Sequence, residues 1–269
     1  MSLAGKLDRR LRHVRTLRHF LCAGGDRALF RYGEQPNIPP RYNIAPTQPI
    51  PIVRLVDGKQ SFALMRWGLL PSWVEDPKTF PLLINARGDS VLDKPAVRNA
   101  MRRRRCLIPT DGFYEWQTGA ASGPKQPYFV RAKRGEGGAA PPLAFAGLWE
   151  TWTGPNSEEL DTAAIVTTDA NRILSAIHPR MPAFIAPADF DCWLDCDAVP
   201  AEEAAALIKP ADDAQLEVYP ISPAVNRVAK DSEALIAPLS AQTAAERVAP
   251  QQPPKPSKIK KSDDQPTLF

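Results

Sequence analysis

Proline occupies 29 of the 269 positions, about twice its usual ~5% share, and that density decides most of what the chain can become. Each proline ring fixes φ, removes an amide donor and breaks a helix interior. This argues against a helical bundle and for loops, turns and short strands. A hydrophobic fraction of 43% against 24% charged residues excludes wholesale disorder. No apolar run approaches the ~20 residues that a membrane-spanning helix needs, so no membrane protein is expected.

Strand-like stretches rich in β-branched and aromatic residues fall at Ile50–Leu55, Phe62–Trp67, Phe80–Ala86, Arg105–Pro109, Tyr128–Ala132, Ala144–Trp149 and Ala163–Thr168. The first two flank Val56-Asp-Gly-Lys-Gln, a hairpin-style turn. Helices are expected over Pro95–Arg104, Asp169–Ile177, Pro187–Leu194 and Pro200–Ile208, the last two with proline in the first turn. Few intervals between strands can hold a crossover helix. The expected fold is α+β, an antiparallel or mixed β-barrel-like sheet with surrounding helices.

Charge divides the chain into three parts. Residues 1–26 carry six Lys+Arg against two Asp+Glu, and residues 240–269 carry five against three. The body, 27–239, then holds 23 against 25 and is slightly acidic. Global basicity therefore belongs to the ends, and any nucleic-acid surface must be a local patch. Residues 1–26 read as an atypical N-terminal segment, 27–239 as the domain, and 240–269, with its Ala, Gln, Pro, Lys and Ser, as a disordered tail. Cys22, Cys106, Cys192 and Cys196 form no CxxC pair and no export signal precedes them, which points to a reducing cytoplasm.

Chemistry concentrates in a few segments. Glu115 sits between Tyr114 and Trp116 after an apolar run, where desolvation would raise its pKa toward acid/base use; a strand-end glutamate bonded to backbone is the plain alternative. His178 is the sole histidine of the body and lies beside the rigid Pro179-Arg-Met-Pro turn, a site residue or a satisfied structural group. One histidine cannot complete a zinc site with scattered cysteines, so neither metal nor cofactor is expected. Asn85 and Arg87 alternate with Ile84 and Ala86, which puts both on one strand face, suited to a phosphate or sugar oxygen or to an ordinary cross-strand pair. Arg102–Arg105 is a solvated helix end or a track for phosphates. Trp67, Leu69 and Trp73 form either an apolar wedge that stacks on bases or part of the core. Cys192 and Cys196 are most simply packing residues beside Trp193.

Taken in series, Tyr42-Asn-Ile-Ala-Pro-Thr, Trp67-Gly-Leu-Leu-Pro-Ser-Trp, Ile84-Asn-Ala-Arg, Cys106-Leu-Ile-Pro-Thr-Asp-Gly-Phe-Tyr-Glu-Trp, Ala146-Gly-Leu-Trp-Glu, Ile177-His-Pro-Arg-Met-Pro and Tyr219-Pro-Ile-Ser-Pro-Ala-Val-Asn resemble the SRAP (SOS response-associated peptidase) family of abasic site processing proteins. The resemblance implies a groove for single-stranded DNA and a covalent DNA–protein crosslink at abasic sites. It also implies a cysteine directly after the initiator methionine, whose amine condenses with the abasic aldehyde and whose thiol closes the imine to a thiazolidine. By position, Asn85 matches the asparagine that positions the imine. Glu115 matches the acid/base glutamate, and His178 the histidine that assists ring opening and crosslink reversal. Trp67, Arg87 and Arg180 match positions near the DNA path.

At the start the sequence departs from that pattern. Ser2 follows Met1, and Cys22 has no free amine beside it. Residues 13–25 can be back-translated so that a one-base shift spells Met-Cys-Gly-Arg-Phe, the family's opening, and then Val-Ile-Ser-Ser-Ala-Pro-Glu ahead of Arg27. Residues 1 to about 25 are therefore expected to be a frameshifted translation of the true start, and the chain as written to form no stable adduct. Its rivals are a catalytically dead module that binds single-stranded DNA without a covalent bond, and an autopeptidase or hydrolase using Glu115 and His178. Gln265-Pro-Thr-Leu-Phe269 resembles the Gln-x-x-Leu-Phe peptide that docks on the bacterial sliding clamp. A cytoplasmic, nucleoid-associated protein is expected.

Overall fold

A computed structural model describes residues 16–19, 25–33, 38–117, 125–135, 138 and 140–239, with backbone alone for 16–19 and 25–27. In chain order the elements are β1 (Thr16–His19), α1 (Gly25–Phe30), β2 (Arg41–Ile44), β3 (Pro49–Val56), β4 (Lys59–Trp67), β5 (Asn85–Arg87) and α2 (Arg98–Arg103). There follow β6 (Arg105–Thr110), β7 (Gly112–Trp116), β8 (Pro127–Ala132), β9 (Leu143–Thr153), β10 (Glu159–Asp169), α3 (Arg172–Ser175), β11 (Arg180–Pro182), α4 (Phe190–Leu194), α5 (Ala201–Ala205) and β12 (Leu216–Pro220).

The β3–β4 hairpin forms where alternation and turn chemistry agree. Its two-residue turn, Asp57-Gly58, holds both residues at positive φ (49° and 71°), the geometry that matches strand twist and that glycine adopts without strain. Around it a ring closes: β10 pairs β4, β4 pairs β3, β3 pairs β6, β6 pairs β9, and β9 returns to β10. All these pairings are antiparallel except β4–β10. The fold is thus α+β with a mixed, closed five-stranded barrel-like sheet. Closure leaves the ring strands no long free edge.

Alternation divides the ring into two faces. One set, including Val53, Leu107, Ala146, Leu148, Ala164 and Val166, packs with Ala100, Met101, Phe190, Trp193 and Leu194 of the helices. Helices cannot fit within five strands, so this set faces outward. The alternate set, Ile50, Ile52, Met65, Trp67, Cys106, Ile108, Phe145, Ala163 and Ile165, fills the interior. A second sheet, ordered β12-β8-β7-β1-β2, presents Phe113 and Val130 to the interior cluster. Its other face, with Tyr114 and Phe129, packs on Ile221, Val225 and Leu235.

Arg105 pins the helices to the ring. It is 1% exposed, and it donates to the carbonyls of Trp193 (2.6 Å), Met101 (3.1 Å), Asp195 (2.7 Å) and Val199 (2.9 Å). Cys196, read from sequence as packing, accepts the Arg105 amide at 3.5 Å.

Several sequence expectations need correction. The strand expected over Phe80–Ala86 begins only at Asn85; Pro81 interrupts it, and Leu83 makes a single bridge to Leu69. The helix expected over Asp169–Ile177 shrinks to α3, because Asp169 completes β10 and Asn171 caps the helix by accepting from the Leu174 amide (3.0 Å). β2, β7, β11 and β12 were not expected, being short and stabilised by pairing rather than by their own composition. The tail with its Gln265–Phe269 peptide, and residues 1–15, lie outside the described residues.

Candidate active site

The site is assembled at the ring mouth where β10 ends. There β5 runs parallel to β10, with Asn85 opposite Ile165 and Arg87 opposite Thr167. Ile84 and Ala86 turn into the core while Asn85 is half-buried and Arg87 exposed, the alternation that the sequence implies. A tight turn then begins at Gly88, where a Cβ would meet Ile208 Cγ2 at 2.3 Å and Thr167 O at 3.2 Å. Only glycine allows that approach.

On the other flank of β10, β11 sets Arg180 opposite Asp169. The Arg180 guanidinium, 9% exposed, reaches across the strand and donates to Thr167 O (2.7 Å), Asp169 Oδ1 (2.9 Å) and Asp89 Oδ2 (3.3 Å). Arg87 also pairs with Asp89, through Nε (3.1 Å) and Nη2. Asp89 is therefore shared by two guanidiniums, and its pKa falls from 3.8 to about 2, chiefly through the hydrogen bond from Arg87. Sequence reasoning missed Asp89; its signal was an acid two residues after a candidate phosphate-binding arginine.

His178 follows α3 and is 3% exposed. Its amide donates to Leu174 O (2.8 Å), and its Nδ1 lies 3.1 Å from the Arg180 amide and 3.0 Å from the Arg180 carbonyl. The same turn thus fixes the imidazole and the arginine. Glu115, also 3% exposed, lies on β7 opposite Tyr128, and its Oε1 accepts from the Trp116 amide (3.2 Å). Phe113, on the same strand face as Glu115, joins the interior cluster together with Ile84 and Ile177. Those last two residues immediately precede Asn85 and His178. The three segments that carry amide, carboxyl and imidazole therefore converge on one apolar cluster. β1 enters its sheet with Thr16 opposite Tyr114, next to Glu115.

Trp67 calls for a correction: it is fully buried inside the ring, and its Nε1 donates to Ile84 O (2.9 Å). It offers no face to a base and instead fixes the residue before Asn85. Trp73, from the same segment, is 55% exposed and meets Phe80 edge-on. Burial pushes the Cys106 thiol far above its ordinary pKa, which suits packing and not nucleophilic work. No group of three or more His, Cys, Asp or Glu able to hold a metal ion occurs among the described residues.

The closed small barrel is a fold with solved members. A crystal structure of a protein from Bacteroides thetaiotaomicron superposes with a TM-score of 0.70 at 25% identity, covering 83% of this chain and all of that one. Abasic site processing protein YoqW of Bacillus subtilis is 35% identical over 198 residues, spanning 73% of this chain and 85% of its own. Abasic site processing protein HMCES of Rattus norvegicus is 32% identical over 251 residues, 81% of this chain and 70% of its own. The sequence matches the SOS response associated peptidase (SRAP) profile over residues 12–228, and the chain belongs to that family.

Proposed function

We propose that this protein processes abasic sites in single-stranded DNA by forming a covalent crosslink to the abasic sugar. The observation that carries the reading is the convergence of the Asn85, Glu115 and His178 segments on the cluster of Phe113, Ile84 and Ile177. Arg87 is 59% exposed beside them and is suited to a phosphate.

The chemistry needs a primary amine and a thiol on one residue. The amine adds to the C1′ aldehyde, the carbinolamine loses water to give an imine, and the thiol adds to the imine carbon to close a thiazolidine. Asn85 orients the imine and Glu115 carries protons between amine, hydroxyl and water. His178 assists opening of the sugar ring and reversal of the crosslink.

We assign lyase-type chemistry on DNA, with reversal as its hydrolytic arm. Among the described residues no helix is long and apolar enough to cross a membrane, and a DNA substrate suits a cytoplasmic, nucleoid-associated protein. Gln265–Phe269 is proposed to dock on the sliding clamp; deletion with unchanged clamp affinity would remove that idea.

The test compares two forms by mass spectrometry after incubation with an abasic oligonucleotide. One is the chain as written; the other opens Met-Cys-Gly-Arg-Phe in the shifted frame. The second form should give a borohydride-independent adduct and the first none. Glu115→Gln in the second form should slow the adduct by about 100-fold or more. An adduct from neither form, with abasic strands still bound, leaves the dead DNA-binding module as the function.

A further inference from the structure

We propose that the opposite mouth of the ring is a second binding site for single-stranded DNA, built on Arg54, Trp149 and the arginines of α2.

Along β3 the interior face carries Ile50, then Ile52, then Arg54. Arg54 therefore lies about 13 Å from Ile50 along the strand, at the mouth formed by the end of β3 and the start of β6. There Arg54 Cζ stands 4.3 Å from the centroid of the Trp149 ring, and Arg104 Cζ stands 5.5 Å from it. One half-buried indole thus carries two guanidiniums. Arg104 is answered by Glu150 at 3.2 Å. Arg54 makes no ion pair among the described residues, and its Nε is buried without a hydrogen-bond partner. Such a group is costly to retain without a use.

The rim is basic as well. Residues 98–105 hold five arginines and no acid. Of these, Arg98, Arg102 and Arg103 are exposed and make no ion pair among the described residues. Arg98 and Arg102 stand one helical turn apart, where like charges repel. The C-terminal dipole of α2 accounts for Arg102 and Arg103. It does not account for Arg54, which arrives from another strand. Planar cations on an indole, ringed by further cations, match the alternation of base and phosphate in a single strand. A duplex keeps its bases stacked and cannot lay one on a half-buried ring.

This inference rests on the proposed function only in its choice of ligand, and the test separates the two. A short strand of about 6 nucleotides bearing a tetrahydrofuran abasic analogue fills one site; an oligo-dT several times longer reaches both. Arg54→Gln, with an unchanged melting temperature, should leave short-strand affinity as it is and weaken the long strand several-fold. The slope of log K against log salt should become shallower by about 0.7 for the lost phosphate contact. Arg102→Gln with Arg103→Gln should act in the same direction. Long-strand affinity and salt slope equal to wild type in both variants would overturn the proposal. Loss of short-strand binding in the wild type, with long-strand binding still dependent on Arg54, would sink the active-site reading and leave this one standing.

Discussion

Arg180 Nη1 donates to Asp89 Oδ2 over 3.3 Å, and this contact ties the turn after Asn85 to the turn that holds His178. Two elements on opposite flanks of β10 are thereby locked in register. The cluster also offsets its own charge, since Arg87 and Arg180 face Asp89 and Asp169.

Replacing Asp89 with Asn frees Arg87, leaves Arg180 with Asp169 as its one remaining acid, and unties the two turns. Single-stranded DNA should bind several-fold tighter at low salt, while adduct formation by the Cys-initiated form slows about tenfold. Asp89→Glu should restore much of the rate. Asp89 is half-exposed, so its effect on stability is small. A carboxyl depressed from 3.8 to about 2 contributes fully above its ordinary pKa and loses that contribution as pH falls toward 2. Acid titration of the fold should therefore show wild type losing slightly more stability than Asp89→Asn across that interval.

Trp67→Phe removes the donor to Ile84 O without opening a large cavity. Ile84 O keeps the Ile165 amide (3.1 Å), so urea unfolding should show a loss of about 1–2 kcal/mol, the cost of one lost hydrogen bond and some lost packing. Adduct formation should slow as Asn85 loses its anchor, with affinity for a tetrahydrofuran strand held within about twofold. A large fall in that affinity would return Trp67 to the DNA path.

Arg105→Met keeps the length of the side chain and takes a donor from four carbonyls, of which that of Asp195 still accepts from the Val199 amide (3.2 Å). Each buried carbonyl left without a donor costs about 1–3 kcal/mol, so the variant should lose at least about 3 kcal/mol or fail to fold. Arg105→Lys has three donors for four acceptors and should lie between Met and wild type in a denaturant titration.

Asn43, fully buried, donates through Nδ2 to the carbonyls of Val225 (3.1 Å), Arg227 (3.3 Å) and Lys230 (3.0 Å). Asn43→Asp turns a carboxylate toward those oxygens and should cost about 3 kcal/mol or more near neutral pH. Protection of the amides of 225–231 in hydrogen exchange should fall first.

Local chemistry made part of this legible in advance. Alternation and Asp57-Gly58 gave the hairpin, and the alternation around Asn85 and Arg87 gave their strand face. Ring closure was hidden because β10 meets β4 nearly a hundred residues away, and nothing in Ala163 or Thr162 announces that partner. Trp67 stayed open between wedge and core because an indole suits a base and a core equally, and its place near the DNA path came from the family resemblance; burial decides for the core. Asp89 went unread because its role depends on Arg180, which only the flanks of β10 bring near.

β10 serves the ring through β4 and β9, and it also carries β5 and β11. One strand is thus both the barrel's closing stave and the bench on which the chemistry is laid out. Heat or a protease that pries it loose removes both at once. A worn preparation should consist of competent and inert molecules with little between, and a drop in its turnover would count casualties rather than measure a general decline in vigour.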